Sequence, residues 1–329
     1  MAEALQEPLV REPLVRLVDL HKEFKTRQGS LHAVDGVNLH INQGETLGLV
    51  GESGCGKSTT GRLLVRLLEA TSGQVLFRGT DVQSLNRGEL KEFARKAQIV
   101  FQDPFSSLDP RMSVAEIISE ALLVHKLYRQ GKALRKRVGE LMDYAGIASR
   151  LMNSYPHELD GGRRQRVGIA RALALEPEFL VLDEPVSALD VSIQAQILNL
   201  FEDLQQELQL TYLFIAHDLS VVKHISDRIA VMYMGQIVEL GAADEVIHNP
   251  LHPYTEALVS AIPRMARRGE HQRIILEGDV PSPIDPPAIC RFYGRCPLRQ
   301  EICRRPVELL EVEPDHFVRC VLREPASPR

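Results

Sequence analysis

Gly51-Glu52-Ser53-Gly54-Cys55-Gly56-Lys57-Ser58 is the stretch that decides the fold. It fits the phosphate-loop pattern G-x-x-x-x-G-K-(S/T). Upstream, Thr46-Leu47-Gly48-Leu49-Val50 is a short apolar strand; downstream, Leu63, Leu64, Leu67 and Leu68 recur at helical spacing. Strand, glycine-rich loop and helix is the order a phosphate-binding βα unit requires. The glycines let backbone N–H groups converge on phosphate oxygens with no Cβ in the way, and the helix N-terminus adds a favourable dipole. Lys57 offers a point charge to the β- and γ-phosphates, and the Ser58 hydroxyl can ligate Mg²⁺. Cys55 fills a free position of the pattern and reads as structurally neutral.

Two further strand ends carry polar groups suited to the same chemistry. Phe179-Leu180-Val181-Leu182 is a continuous apolar run, as in a strand buried on both faces. It ends on Asp183 and Glu184, the first placed to hold Mg²⁺ and the second to orient or deprotonate an attacking water. Tyr212–Ala216 is another such run and ends on His217, on the edge where ligands sit in open α/β sheets. A γ-phosphate contact is the role expected of His217. Between these runs Ile193, Ile197, Leu200, Phe201, Leu204 and Leu208 form one helical face. Residues 16–50 alternate in short runs, as in a small antiparallel β region, and 113–155 are mostly helical. A helix should follow Gly161. Alternating strands and helices predict a largely parallel sheet with crossovers.

The 329 residues suffice for one large domain and a smaller one. A net charge of −5 argues against a general nucleic-acid binder. No apolar run approaches the about 18–20 residues of a membrane-spanning helix. The N-terminus does not read as a signal peptide. A cytosolic protein is expected, with other subunits crossing any membrane it serves. Prolines crowd after about residue 250. The expected plan is an extension over 1–15, a nucleotide-binding domain over 16–250 with a helical subdomain at about 105–165, and a small loop-rich domain over 251–329.

These motifs together resemble the nucleotide-binding subunit of an ABC transporter, from about residue 16 to the C-terminus. The resemblance implies an ABC-type P-loop NTPase: a β subdomain, a RecA-like parallel-sheet core, a helical subdomain and a C-terminal domain. Glu52–Thr59 resembles the Walker A loop, which with Gly51 contacts the nucleotide through Gly51, Ser53, Gly54, Cys55, Gly56, Lys57, Ser58 and Thr59. Phe24 resembles the aromatic that stacks on adenine. Phe101-Gln102-Asp103-Pro104 resembles the Q-loop, whose Gln102 approaches the metal and senses the membrane subunits. Phe179–Glu184 resembles Walker B with its catalytic carboxylate, Ser187-Ala188-Leu189-Asp190 the D-loop, and His217 the switch histidine. Where the family has L-S-G-G-Q, this chain has Leu159-Asp160-Gly161-Gly162-Arg163. In the family this signature closes the ATP site of a second subunit, so Asp160 and Arg163 imply an unequal pair of sites and a different partner ATPase.

The substrate class also rests on resemblance. FQDPFSSLDPRM (101–112), HNPLHPYTEALVSAIP (248–263) and CRFYGRCP (290–297) are similar to the ATPases of dipeptide and oligopeptide importers, a layout nickel importers share. The resemblance implies ATP and Mg²⁺ as ligands, two permease subunits, an extracytoplasmic binding protein, and a peripheral place on the cytoplasmic face of the membrane. A soluble, non-transport ABC ATPase is the alternative from another class. So is a regulatory nucleotide binder, although Glu184 and His217 exceed what binding needs. Five, six and sixteen residues separate Cys290, Cys296, Cys303 and Cys320. Zinc pairs usually stand about two to four residues apart, so spacing alone leaves loose zinc or no ligand open. The resemblance implies that the four hold a 4Fe–4S cluster, which four thiolates can ligate.

Overall fold

The protein was analysed as a computed structural model that describes residues 13–262, 273–279 and 281–323. The first twelve residues of the expected N-terminal extension lie outside them. Along the chain, β1 (Val15–Thr26), β2 (Gly29–Ile41) and β3 (Thr46–Val50) lead into α1 (Lys57–Leu64). Then come β4 (Ser72–Phe77), β5 (Thr80–Asp81), α2 (Arg87–Lys96) and β6 (Ala97–Val100). Four helices follow: α3 (Pro104–Ser107), α4 (Val114–Val124), α5 (Lys132–Tyr144) and α6 (Gly161–Leu173). The next elements are β7 (Phe179–Asp183), α7 (Val191–Leu208), β8 (Thr211–Ala216), α8 (Leu219–Ile225), β9 (Arg228–Tyr233) and β10 (Gln236–Ala242). Helices α9 (Ala243–His248) and α10 (Pro253–Ser260) precede the short strands β11 (Leu310–Glu313) and β12 (His316–Val318).

These strands form two sheets. One, in the order β2-β1-β4-β5, is antiparallel. The other runs β11-β12-β10-β9-β3-β8-β7-β6 and is parallel from β9 to β6. The continuous apolar runs explain that arrangement. Leu47, Leu49, Phe179–Leu182 and Tyr212–Ile215 are all fully buried, as strands covered on both faces must be. Because β3, β8 and β7 are adjacent and parallel, their C-terminal ends share one edge. That edge receives the phosphate loop, His217 and the Asp183–Glu184 pair.

Helices α4, α5 and α6 pack on one another and carry apolar residues inward, among them Ile117, Ile118, Val138, Leu141, Val167 and Ala170. Ser113 and Glu116 start α4 with a reciprocal cap: the Glu116 carboxylate accepts from the Ser113 N–H at 2.7 Å.

Two expectations from the sequence need adjustment. The leucine spacing after the phosphate loop extends past the helix. Arg66 adopts a left-handed φ of 57°, and the N–H groups of Leu67 and Leu68 turn back to the Arg62 carbonyl at 2.9 and 3.2 Å. Leu67 is left 56% exposed. The C-terminal region, expected to be a separate loop-rich domain, also adds strands to the main sheet. β12 pairs with β10, matching Glu239 to Val318 and Leu240 to Phe317. The fully buried Glu239 carboxylate accepts from the N–H groups of Leu251 and His252, each at 2.8 Å, and meets His316 Nε2 at 2.8 Å. Burial of His316 disfavours a charged ring, but the bond to Glu239 and its negative charge outweigh this and raise the histidine's pKa.

Candidate nucleotide site

The loop 51–56 leaves β3 and passes under neighbouring backbone. A Cβ built on Gly51 would stand 2.1 Å from the Met232 carbonyl oxygen, and one on Gly56 would stand 2.1 Å from that of Ala33. Both glycines also have positive φ, 154° and 113°. A side chain at either would push the loop off its seat. Cys55 is buried in the core, where burial pushes its thiol pKa up. Its side chain therefore packs beneath the loop.

The Lys57 ammonium, 4% exposed, curls back and donates to the carbonyls of Gly51 at 2.8 Å and Glu52 at 3.1 Å. It also stands 4.0 Å from Glu184 Oε1. The Ser58 hydroxyl donates to Asp183 Oδ1 at 2.7 Å. Burial lifts the Asp183 pKa above its ordinary value, and the Ser58 bond works in the opposite direction. Hydroxyl and carboxylate oxygens side by side are hard donors of the kind Mg²⁺ takes. Nucleotide phosphates and water could supply the remaining positions.

Glu184 lies at the centre. Gln102 Nε2 donates to its Oε2 at 3.0 Å, and His217 Nδ1 stands 3.3 Å from the same oxygen. The Glu184 N–H donates across the sheet to the Ile215 carbonyl at 3.0 Å. Its φ is 47°, a left-handed conformation that costs a non-glycine residue on the order of 1–3 kcal/mol. The sheet, Gln102 and His217 hold the carboxylate in place despite that cost. Such a carboxylate can orient or deprotonate a water aimed at a terminal phosphate.

The fold thus brings together Gln102, Lys57, Ser58, Asp183, Glu184 and His217. Phe24, Asp160 and Arg163 have partners of their own. Phe24 lies on β1, facing Leu31 of β2, with the Lys22 ammonium 4.9 Å from its ring centroid. Asp160 caps α6, accepting the Arg163 N–H at 2.8 Å, and its carboxylate also pairs with Arg163 Nε at 3.3 Å. Beside them, Leu189 and Ile193 approach the positions where Gly161 and Gly162 lack a Cβ.

Family comparison agrees with this geometry. The family description "ABC transporter" matches residues 34–187, and "Oligopeptide/dipeptide transporter, C-terminal region" matches 238–303. A Bacillus subtilis protein described as the oligopeptide transport ATP-binding protein AppF is 50% identical, covering 95% of this chain and 98% of its own.

The chain belongs to the ABC transporter ATP-binding proteins.

A Salmonella typhimurium relative described as the oligopeptide transport ATP-binding protein OppF is 49% identical over 96% of this chain and 98% of its own. Among solved structures, the ATP-binding cassette MJ0796, described as a dimer in a post-hydrolysis state bound to ADP and Pi, matches with a TM-score of 0.63. It is 31% identical and covers 70% of this chain.

Two residues at the rim of this ABC ATPase's site, Tyr254 and Arg295, were not singled out by any sequence pattern. The Glu52 N–H donates to the Tyr254 hydroxyl at 2.8 Å, and the Glu52 carboxylate pairs with Arg295. Their signal lay in segments used only for resemblance, 248–263 and 290–297.

The four late cysteines are all free thiols. The Cys290 N–H donates to the Cys303 carbonyl at 3.3 Å. Burial pushes the Cys290 pKa up to about 11, and the negative charge that Cys320, Cys296 and Cys303 would carry as thiolates adds to the rise. Among the described residues, no group of three or more His, Cys, Asp or Glu side chains is placed to hold a metal ion. The expected cluster therefore finds no ready-made ligand cage.

Proposed function

We infer that this chain is the ATP-hydrolysing subunit of an importer for di- or oligopeptides. The carrying observation is the convergence of Gln102, Lys57 and His217 on Glu184, in a chain that aligns almost end to end with oligopeptide transport ATP-binding proteins. Lys57 and the loop amides bind the phosphates, and Ser58 and Asp183 hold Mg²⁺, which supplies charge neutralisation at the phosphates. Glu184 acts as general base, steered by Gln102, and His217 reaches the γ-phosphate. Phe24 stacks on adenine. Residues 16–250 form the ATPase unit, with the helical subdomain at about 105–165; 251–329 form the attached C-terminal unit.

Two permease subunits and an extracytoplasmic binding protein complete the importer, and this chain sits peripherally on the cytoplasmic face. Among the described residues no helix is long and apolar enough to cross a membrane. Phe105 and Val124, each 62% exposed, flank the face offered to the permeases. A second, different ATPase subunit places its own signature over the site built on Lys57. The Asp160–Arg163 pair, its charges turned on each other, closes the partner's site and slows it.

The test is reconstitution with permeases, partner ATPase and binding protein in proteoliposomes. ATP hydrolysis should rise several-fold with peptide-loaded binding protein. Stimulation by a nickel complex and not by peptide would select the nickel reading. No response to either would overturn the importer.

The cysteines are the finer part of the proposal. Burial raises the pKa values of the Cys290, Cys296 and Cys320 thiols, which stay protonated at neutral pH unless a metal draws off the proton. Together with Cys303 they make four thiols in one short segment, enough to ligate a 4Fe–4S cluster that staples it. Protein purified anaerobically should be brown, with about four irons per chain, and Cys296→Ser should loosen the C-terminal unit more than the ATPase core. Colourless protein with stoichiometric zinc would select the tetrahedral alternative.

A further inference from the structure

Glu52 places a carboxylate inside a loop meant for a triphosphate. Within 51–58 its charge cancels that of Lys57, so the loop alone offers a polyanion no net positive charge. The Arg295 guanidinium meets that carboxylate fork to fork, Nη1 to Oε2 at 2.6 Å and Nη2 to Oε1 at 3.0 Å. Arg295 is only 8% exposed. The Glu52 carboxylate is 29% exposed, so the pair is shut from water on the arginine side, and the two-bond fork fixes its geometry and charge balance.

The C-terminal segment is built to present that arginine. The N–H groups of Arg295 and Cys296 both donate to the Phe292 carbonyl, at 3.0 and 2.9 Å. Phe292 is buried against Tyr233 and Tyr254, with ring centroids 5.3 and 5.5 Å apart. Tyr254 in turn accepts the Glu52 N–H. Residues beyond 250 thus hold both the backbone and the side chain of Glu52. The same turn pairs Arg291 with Asp35 of β2. Cys296 follows Arg295 directly, so whatever fixes the cysteines also fixes the turn.

We propose that Arg295 is a positioning residue for the phosphate loop, which cancels the Glu52 carboxylate and so keeps the loop receptive to a nucleotide triphosphate. The inference rests on the loop being the ATP site. Without Arg295, Glu52 would be an unpaired anion in the wall of an anion site. The repulsion is electrostatic, so salt should relieve it.

Binding of Mg²⁺ and a fluorescent ATP analogue to the full-length chain tests this. Arg295→Ala should weaken binding by about tenfold, and the deficit should shrink between about 0.05 and 0.5 M salt. Adding Glu52→Gln to it should restore binding to within about twofold of wild type. Arg295→Lys, which keeps the charge and loses the fork, should fall between. Damage to the fold alone would leave the double variant as weak as the single one, and that result overturns the proposal. So does normal binding by Arg295→Ala while Lys57→Ala binds nothing. If Lys57→Ala also binds normally, the loop is not the nucleotide site and both readings fall. Should Arg295→Ala not fold, Glu52→Gln alone decides: it should bind at least as tightly as wild type, and weaker binding overturns the proposal.

Discussion

Glu184→Gln should leave ATP bound while hydrolysis falls by roughly 10²–10⁴, the loss expected when general-base help disappears. The amide matches the carboxylate in shape and still offers an oxygen to Gln102, so the pocket should survive. What it lacks is the ability to take a proton. Because Glu184 also lies 4.0 Å from the Lys57 ammonium, removing its charge should not weaken phosphate binding. Single-turnover hydrolysis in the assembled transporter, measured beside equilibrium binding, separates the two effects. In a heteromeric pair the matching change in the other ATPase should cost far less. If that change halts turnover while Glu184→Gln leaves it largely intact, the assignment of the working site to this chain is backwards.

Lys57→Ala should reduce nucleotide affinity by at least about 100-fold, since it removes the charge facing the β/γ-phosphates and several charge-assisted hydrogen bonds. The effect has a second source. The ammonium donates to the Gly51 and Glu52 carbonyls, so the alanine variant loses a tie that shapes the loop itself. Calorimetric titration with ATP and Mg²⁺ gives the affinity, and a thermal melt shows whether the fold has changed. Affinity within about twofold of wild type would remove the loop from the site.

Residues 51–58 were legible because the loop's chemistry is contiguous, and the strand and helix around it have periods a reader can count. The strand ends at Asp183 and His217 were legible for the same reason, since parallel buried strands leave long apolar runs. Pairings across distance were not. Gln102 meets Glu184 only because β6 and β7 are neighbours in the sheet, and no local pattern announces that contact. Tyr254 and Arg295 reach Glu52 from 202 and 243 residues away. The strands at 310–313 and 316–318 are too short for an alternation to emerge. The leucines after α1 misled in a different way: their spacing continued, but Arg66 left the helical region of backbone space and ended the helix first.

The pairing of β12 with β10 has a consequence for how such a protein is cut and inherited. A fragment stopping near residue 250 would bare β10 as an open sheet edge, its N–H and C=O groups ready to pair with another molecule. It would also leave Glu239 in the sheet without His316 and the backbone donors of Leu251 and His252. A buried carboxylate stripped of its donors is among the costlier defects a fold can carry. The tail is therefore no detachable accessory, and the ATPase unit and the C-terminal unit should be kept together in truncation, fusion and exchange between transporters.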